Sequence, residues 1–194
     1  MESRTRFYEL INLNFNEIVS QPGNFLLVGC DSSKEQDAMS EFWHVLIKYC
    51  RITPVEVFQL PIRGLFLVVI TEEPITTLKK VDETIKTKVF QFKYCRRATA
   101  IEQIVKSDPE EIIQALVPKM ELIPESDTWR ISLNKRHTTI ARNELINTIA
   151  SHPKAPKGKV SLQHPKWYLV VEIIGEWCGV GVYNENPVFT FAEQ

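Results

Sequence analysis

The chain of 194 residues is long enough for one large or two small domains, and its composition, 44% hydrophobic and 24% charged, is ordinary for a globular protein. Its formal charge of −1 excludes a uniformly basic protein, and no apolar run approaches the roughly 18 residues that span a membrane. The four cysteines are far apart and form no CxxC pair, which indicates apolar core residues in a reducing compartment. We therefore expect an intracellular, cytoplasmic protein, or a nuclear or nucleolar one if the source is eukaryotic.

Strand-like and helix-like segments alternate along the first half of the chain, which predicts a mixed fold. An apolar run at 24–30 precedes a helix that we expect to begin near Ser33, because a Glu follows a Ser by three residues, as in a capping box. Strand-like runs at 54–60 and 64–71 follow, then a second amphipathic helix. With a closing strand at 89–94, this order is that of a ferredoxin-like unit. The first helix carries a predicted core stripe: Met39, Phe42, Trp43, Leu46 and Tyr49.

The second half begins with a helix signal at Asp108-Pro109, an Asp cap followed by Pro at the first helical position. Pro118 lacks a backbone donor, so we expect this helix to end near Leu116. Period-two alternation at 128–133 then predicts a strand with one face in the core.

That strand runs into a basic Lys-Arg-His turn, after which Thr138 or Thr139 is expected to cap another helix. Two apolar runs at 168–174 and 177–183 follow. They are joined by Gly175-Glu176 and predict a hairpin with a Gly-X turn.

Positive charge is concentrated in residues 129–167, where eight Lys and Arg side chains face one carboxylate, Glu144. A local field of this sign attracts polyanions, so nucleic-acid binding competes with the reading of a solvated lysine-rich loop. Backbone donors at the start of the following helix could add to the grip on phosphate. The candidate contacts are Arg130, Lys135, Arg136, Arg142, Lys154, Lys157, Lys159, His164 and Lys166.

Motifs of catalysis are missing from the sequence. There is no GxGxxG, no phosphate-binding loop with GK[ST], and no Ser-His-Asp, Cys-His or paired-carboxylate arrangement that stands out. We expect no catalytic residue, no metal site and no cofactor, and therefore a protein that is not an enzyme.

The stretch KVSLQHPKWYLVVEIIGEWCGVGV at 159–182 resembles the end of a THUMP domain. The resemblance lies in the Lys-Val-polar-Leu start, the proline, the apolar strand containing Glu172, the Gly-acid turn and the small-residue strand, and it extends over about residues 95–183. It implies an RNA-binding module that grips the acceptor end of tRNA and its phosphates without catalysing, so that the nine candidate residues contact RNA. The implied fold class is α+β, an N-terminal ferredoxin-like unit followed by a C-terminal THUMP domain with a mixed sheet flanked by helices.

The whole chain resembles the small THUMP-domain adaptors that assist a separate tRNA cytidine acetyltransferase in archaea and eukaryotes. The resemblance rests on three stretches, at 25–43, 96–112 and 132–149. It implies two domains, 1–94 and 95–194, and two partners, tRNA and the modifying enzyme, with no membrane. Residues 1–23 are unplaced but too apolar for a free tail, so we expect them to add a fold element or a homo-oligomer contact.

Two alternatives remain open at this point. One is a THUMP-like RNA-binding protein in another pathway, such as ribosomal-RNA processing or a different tRNA modification. The other is an enzyme or sensor with a ferredoxin-like fold, in which the basic residues bind an anionic metabolite. Affinity for tRNA as a function of salt separates the anionic-metabolite alternative from the RNA-binding ones, because many phosphate contacts give a steep dependence.

Overall fold

The computed structural model describes residues 23–53 and 56–191. These residues form two units, the first made of residues up to 100 together with 188–191, and the second of residues 101–187. The division expected from the sequence, between residues 94 and 95, lies six residues before this one. The residues between the two positions belong to the strand that completes the first sheet. Residues 1–22, which carry the expectation of an added element or oligomer contact, lie outside the described residues.

The first unit contains a five-stranded sheet and two helices. Its elements are β1 (Asn24–Cys30), α1 (Glu35–Val45, extended by a π-helical turn at Leu46–Cys50), β2 (Glu56–Gln59), β3 (Leu65–Ile70), α2 (Pro74–Lys86), β4 (Cys95–Ile101) and β9 (Val188–Thr190). The strand order is β2-β3-β1-β4-β9. Strand, helix, two strands, helix and strand with this order form the predicted ferredoxin-like arrangement, to which β9 adds an edge.

The predicted closing strand at 89–94 is wrong. The backbone N–H groups of Lys93 and Tyr94 donate to the Glu41 carboxylate on α1, at 2.6 and 3.1 Å. They are therefore bound to a side chain and do not pair with a strand. The strand that completes the unit is β4, which begins at Cys95. Trp43 is also misplaced by the predicted stripe, because it is 46% exposed.

The start of α1 lies two residues later than predicted. Ser33 adopts a left-handed conformation with φ of 65°, which a helix cannot include. The Glu35 carboxylate accepts hydrogen bonds from the backbone N–H groups of Ser33 and Gly64, so it ties α1 to the segment before β3.

The second unit contains a four-stranded mixed sheet with helices packed on one face. Its elements are β5 (Gln103–Lys106), α3 (Pro109–Met120), β6 (Trp129–Arg136), α4 (Arg142–Ala150), β7 (Trp167–Ile174) and β8 (Trp177–Tyr183). The order is β5-β8-β7-β6, in which β6 and β7 are parallel and the other pairs are antiparallel. The core between helices and sheet includes Ile112, Leu116, Leu133, Leu145, Ile149, Leu169, Val171 and Ile173.

Three local predictions in this unit have different outcomes. Asp108 caps α3 as predicted, since its carboxylate accepts from the N–H groups of Glu110 and Glu111. The helix nevertheless continues through Pro118 to Met120, because burial of Met120 stabilises the last turn. The β7–β8 hairpin is also confirmed, and its Gly175 has the positive φ, 70°, that glycine adopts readily.

The predicted threonine cap of α4 is wrong. The helix begins at Arg142 with Ala141 as the preceding residue, and no side chain caps it. The Thr138 hydroxyl instead accepts a hydrogen bond from the N–H of Ile140 at 3.3 Å. The threonines therefore belong to a loop of their own, residues 137–141, between β6 and α4.

Candidate nucleic-acid interface

The candidate interface is built on β6, the edge strand of the second sheet. One side of β6 pairs with β7. The segment 158–162 runs along the other side of β6, at its first residue. The N–H of Ser161 donates to the carbonyl of Trp129 at 2.9 Å, and the N–H of Trp129 donates to the carbonyl of Lys159 at 3.1 Å. Period-two burial in β6 places Trp129 and Leu133 in the core and leaves alternate side chains on the opposite face.

All nine sequence-predicted residues lie on β6 or on segments that contact β6 or the loop before it. They form two groups. The lower group, at the start of β6, contains Arg130, Lys154, Lys157, Lys159, His164 and Lys166; the upper group, at its end, contains Lys135, Arg136 and Arg142. At about 3.3 Å per residue, the backbones of Arg130 and Arg136 are roughly 20 Å apart. The structure thus gathers these side chains along one edge, while their contact with RNA stays a prediction.

Two tryptophans and an aspartate fix the lower group to the sheet. Trp129 Nε1 donates to the carbonyl of Gly158 at 2.8 Å. The Asp127 carboxylate accepts from Trp167 Nε1 and from Lys166 Nζ, both at 2.9 Å. These hydrogen bonds, from Trp167 and then Lys166, lower the pKa of the Asp127 carboxyl from its ordinary value of 3.8.

Close packing also requires Gly158 at this point. A Cβ on residue 158 would overlap the carbonyl oxygen of Asp127 and come within 3.1 Å of that of Glu125. The lysine-bearing segment therefore passes directly against the loop 121–128, and only glycine permits this approach.

Three lysines of the lower group have carboxylate partners in that loop. Lys154 pairs with Glu121 at 3.3 Å, Lys157 with Glu125 at 2.9 Å and Lys166 with Asp127 at 2.9 Å. Sequence reasoning missed these acids because it counted charge only from residue 129. Counted from 121 to 167, eight bases face four acids, Glu121, Glu125, Asp127 and Glu144, which leaves a net charge of +4 and not +7.

The upper group is partly engaged in holding the loop 137–141. Lys135 Nζ donates to the carbonyl of Ile140 at 2.7 Å, and Arg142 donates to the carbonyl of Leu133 on the free side of β6. Arg136 is half-buried and directs its guanidinium to no hydrogen-bond or ion-pair partner within residues 23–53 and 56–191.

Lys159 and His164 resemble Arg136 in this respect. Both are exposed, and neither side chain has a hydrogen bond or ion pair within the described part of the chain. Arg130 differs, since its Nη1 donates to the carbonyl of Leu162 at 2.9 Å. Among the nine candidates, Arg136, Lys159 and His164 can therefore bind an external anion without breaking a side-chain contact within the described residues.

An open depression of about 680 Å³ lies beside the upper group. It is lined by three loops of the second unit, residues 106–108, 137–140 and 175–176. His137 stands in it with a left-handed φ of 54°. Sequence reasoning did not predict this depression, because its loops are far apart in the chain and only the Lys-Arg-His run signals one of them.

The cysteines and the metal-binding residue types form no reactive site in the described ranges. Burial raises the pKa of the Cys95 and Cys178 thiols, and burial together with Glu35 and Asp31 raises that of Cys30 to about 11, so these thiols are protonated at neutral pH. Within residues 23–53 and 56–191, no three His, Cys, Asp or Glu side chains converge as metal ligands. No helix in these ranges combines the length and apolarity that crossing a membrane requires.

Residues 107–183 match the family model of the THUMP domain, so the predicted resemblance to a THUMP domain protein is confirmed. The match contains all nine candidate residues and ends with β8.

Comparison with solved structures finds several similar chains. The crystal structure of PH1313 from Pyrococcus horikoshii Ot3 is 14% identical with a TM-score of 0.59, over 84% of this chain and 55% of that one. TrmN from Thermus thermophilus is 15% identical with a TM-score of 0.48, over 84% of this chain and 46% of that one. A 4-thiouridine synthetase in complex with RNA and ATP is 15% identical with a TM-score of 0.45, over 83% and 41%.

The chain spans about half the length of these structures. At such identities, the likeness to PH1313 shows the α+β fold alone. No curated protein sequence matches the chain significantly.

Proposed function

We propose that this protein binds tRNA along the β6 edge of its second unit and presents it to a separate tRNA-modifying enzyme. The observation that carries the proposal is the THUMP match at 107–183, which contains every candidate cation. The fold supports it, because these cations follow one strand and its neighbouring segments.

The chemistry of the edge suits a phosphate backbone. Lysine and arginine side chains provide charge-assisted hydrogen bonds to phosphate oxygens, and the His164 imidazole adds an N–H donor; such contacts give affinity with little base reading. Two groups of basic side chains at the two ends of β6, whose backbones at Arg130 and Arg136 are roughly 20 Å apart, would contact separate stretches of RNA backbone and so favour a folded RNA over a short single strand.

A noncatalytic adaptor for a tRNA cytidine N4-acetyltransferase is supported by the resemblance of residues 25–43, 96–112 and 132–149 to the small THUMP adaptors. In this proposal the bond-making step belongs to the partner enzyme, and the complex acts inside the cell, in the cytoplasm or in the nucleus or nucleolus of a eukaryote.

Measuring tRNA affinity at several salt concentrations tests the RNA-binding part. With about five phosphate contacts, log affinity should fall with log salt at a slope of about −3.5 to −4.5. A shallow slope, together with tighter binding of a small anionic metabolite, would favour the metabolite alternative.

Pull-down of the full chain from native cells tests the partner. The expected result is recovery of tRNA with an acetyltransferase, and modified cytidine should decrease when the chain is removed. Recovery of ribosomal RNA, or of an enzyme of another tRNA modification, would contradict the acetylation part and leave RNA binding standing.

A further inference from the structure

Glu121 and Glu125 lie in the loop between α3 and β6 and pair with two lysines of the lower group. Glu121 contacts Lys154 at 3.3 Å, and Glu125 contacts Lys157 at 2.9 Å. All four side chains are well exposed, at 48 and 52% for the first pair and 72 and 74% for the second. Water therefore reaches both pairs freely.

Exposed ion pairs of this kind contribute little to stability and weaken as salt rises. Replacing the glutamate carboxylate by another anion at Lys154 or Lys157 therefore changes the stability of the fold very little. A phosphate oxygen is chemically equivalent for this purpose, because it accepts the same charge-assisted hydrogen bond from an ammonium group.

The third pair of the loop has a different character. The Asp127 side chain is only 11% exposed, and it also accepts a hydrogen bond from Trp167. Lys166 is therefore held by a carboxylate that has a structural role, whereas Lys154 and Lys157 are held by carboxylates that have no other hydrogen bond in the described residues.

We infer that Glu121 and Glu125 occupy, in the free protein, the places of two RNA phosphates and compete with RNA for Lys154 and Lys157. This inference rests on the proposed function, because it concerns the same interface. The competition lowers the affinity: an RNA must displace both carboxylates, so weak polyanions are disfavoured relative to a folded RNA that makes all contacts at once.

The test compares tRNA affinity of the full chain with that of the double variant Glu121→Gln/Glu125→Gln at about 0.1 M salt. Glutamine keeps the shape of the side chain and removes the charge, so binding should tighten roughly three- to tenfold, and the gain should shrink as salt rises. The matched control is Glu56→Gln/Glu110→Gln, which changes net charge equally at two exposed acids that lie outside the basic region and have no ion pair within the described ranges. It should change affinity less than twofold.

A double-mutant cycle shows whether the effect acts through the two lysines. In a Lys154→Ala/Lys157→Ala background, Glu121→Gln/Glu125→Gln should no longer tighten binding. Equal tightening by the control pair, equal tightening in both backgrounds, or unchanged affinity would overturn the inference. The parent protein is measured first. If it does not bind tRNA, the proposed function fails. If it binds and Glu121→Gln/Glu125→Gln leaves the affinity unchanged, only the inferred competition fails.

Discussion

Trp129 and Gly158 are joined by a hydrogen bond of 2.8 Å, in which the indole Nε1 donates to the glycine carbonyl. Trp129 is the first residue of β6 and is only 3% exposed, so the bond connects the sheet core to the segment between Lys157 and Lys159. Backbone bonds of Trp129 with Lys159 and Ser161 continue the same attachment. The backbone that carries Lys157 and Lys159 is therefore attached to the sheet by a buried indole, in addition to the ion pair of Lys157 with Glu125.

Gly158→Ala tests this attachment. The added Cβ would overlap the Asp127 carbonyl oxygen, so we expect a loss of about 1–3 kcal/mol in the free energy of unfolding, together with weaker tRNA binding. Urea denaturation measures the first effect and a binding titration the second. Gly175→Asn is the control, since nothing lies within 4 Å of that position and asparagine tolerates positive φ. A Gly158→Ala protein as stable as the parent would contradict the close approach.

Local signals in the sequence predicted several elements correctly. The Asp108 cap, the alternation that gives β6, and the Gly175 turn each depend on residues within one turn or strand of each other. Such signals require no knowledge of distant partners, which explains why these elements could be predicted. The strands β4, β5 and β9 carry no such signal and were not predicted.

The wrong predictions arise where a residue distant in sequence determines the local structure or charge. The strand expected at 89–94 is prevented by Glu41, about fifty residues earlier in the chain, and the charge of the basic region is reduced by acids of the preceding loop. The depression beside the upper group likewise depends on loops that meet only in the folded unit. No window of neighbouring residues contains this information.

Lys159→Ala and Arg136→Ala test the cations that have no partner in the described structure. Each should weaken tRNA binding across sequences and reduce the steepness of the salt dependence by about 0.7–0.9, the amount for one phosphate contact. Lys119→Ala is the control. Lys119 lies on α3, outside the candidate set, and its ammonium group pairs with the Glu102 carboxylate at 2.5 Å. A slope that is the same in all four proteins would remove Lys159 and Arg136 from the interface.

Lys135→Ala/Arg136→Ala tests the upper group as a whole. The double variant should remain folded and bind tRNA more weakly. Lys135→Ala alone should also increase hydrogen exchange in residues 137–141, since Lys135 Nζ no longer holds the Ile140 carbonyl. Arg136→Ala alone should leave that exchange unchanged. Unaltered tRNA affinity in a folded double variant would count against this end of β6.

The pH dependence of stability tests the Asp127 contacts. Hydrogen bonds from Trp167 and Lys166 hold the folded-state pKa below 3.8, so Asp127 stabilises the fold fully above its unfolded pKa of about 3.9 and loses this contribution as pH falls through the lower folded value. The difference in unfolding free energy between parent and Asp127→Asn should be constant from about pH 7 to 5 and shrink below about pH 4. Urea denaturation followed by tryptophan fluorescence suits the measurement, because three of the four tryptophans, Trp129, Trp167 and Trp177, lie in the second unit. Glu110→Gln controls for the loss of one exposed carboxylate, and a parent-to-variant difference that persists or grows toward pH 3 would show that Asp127 does not act through its charge.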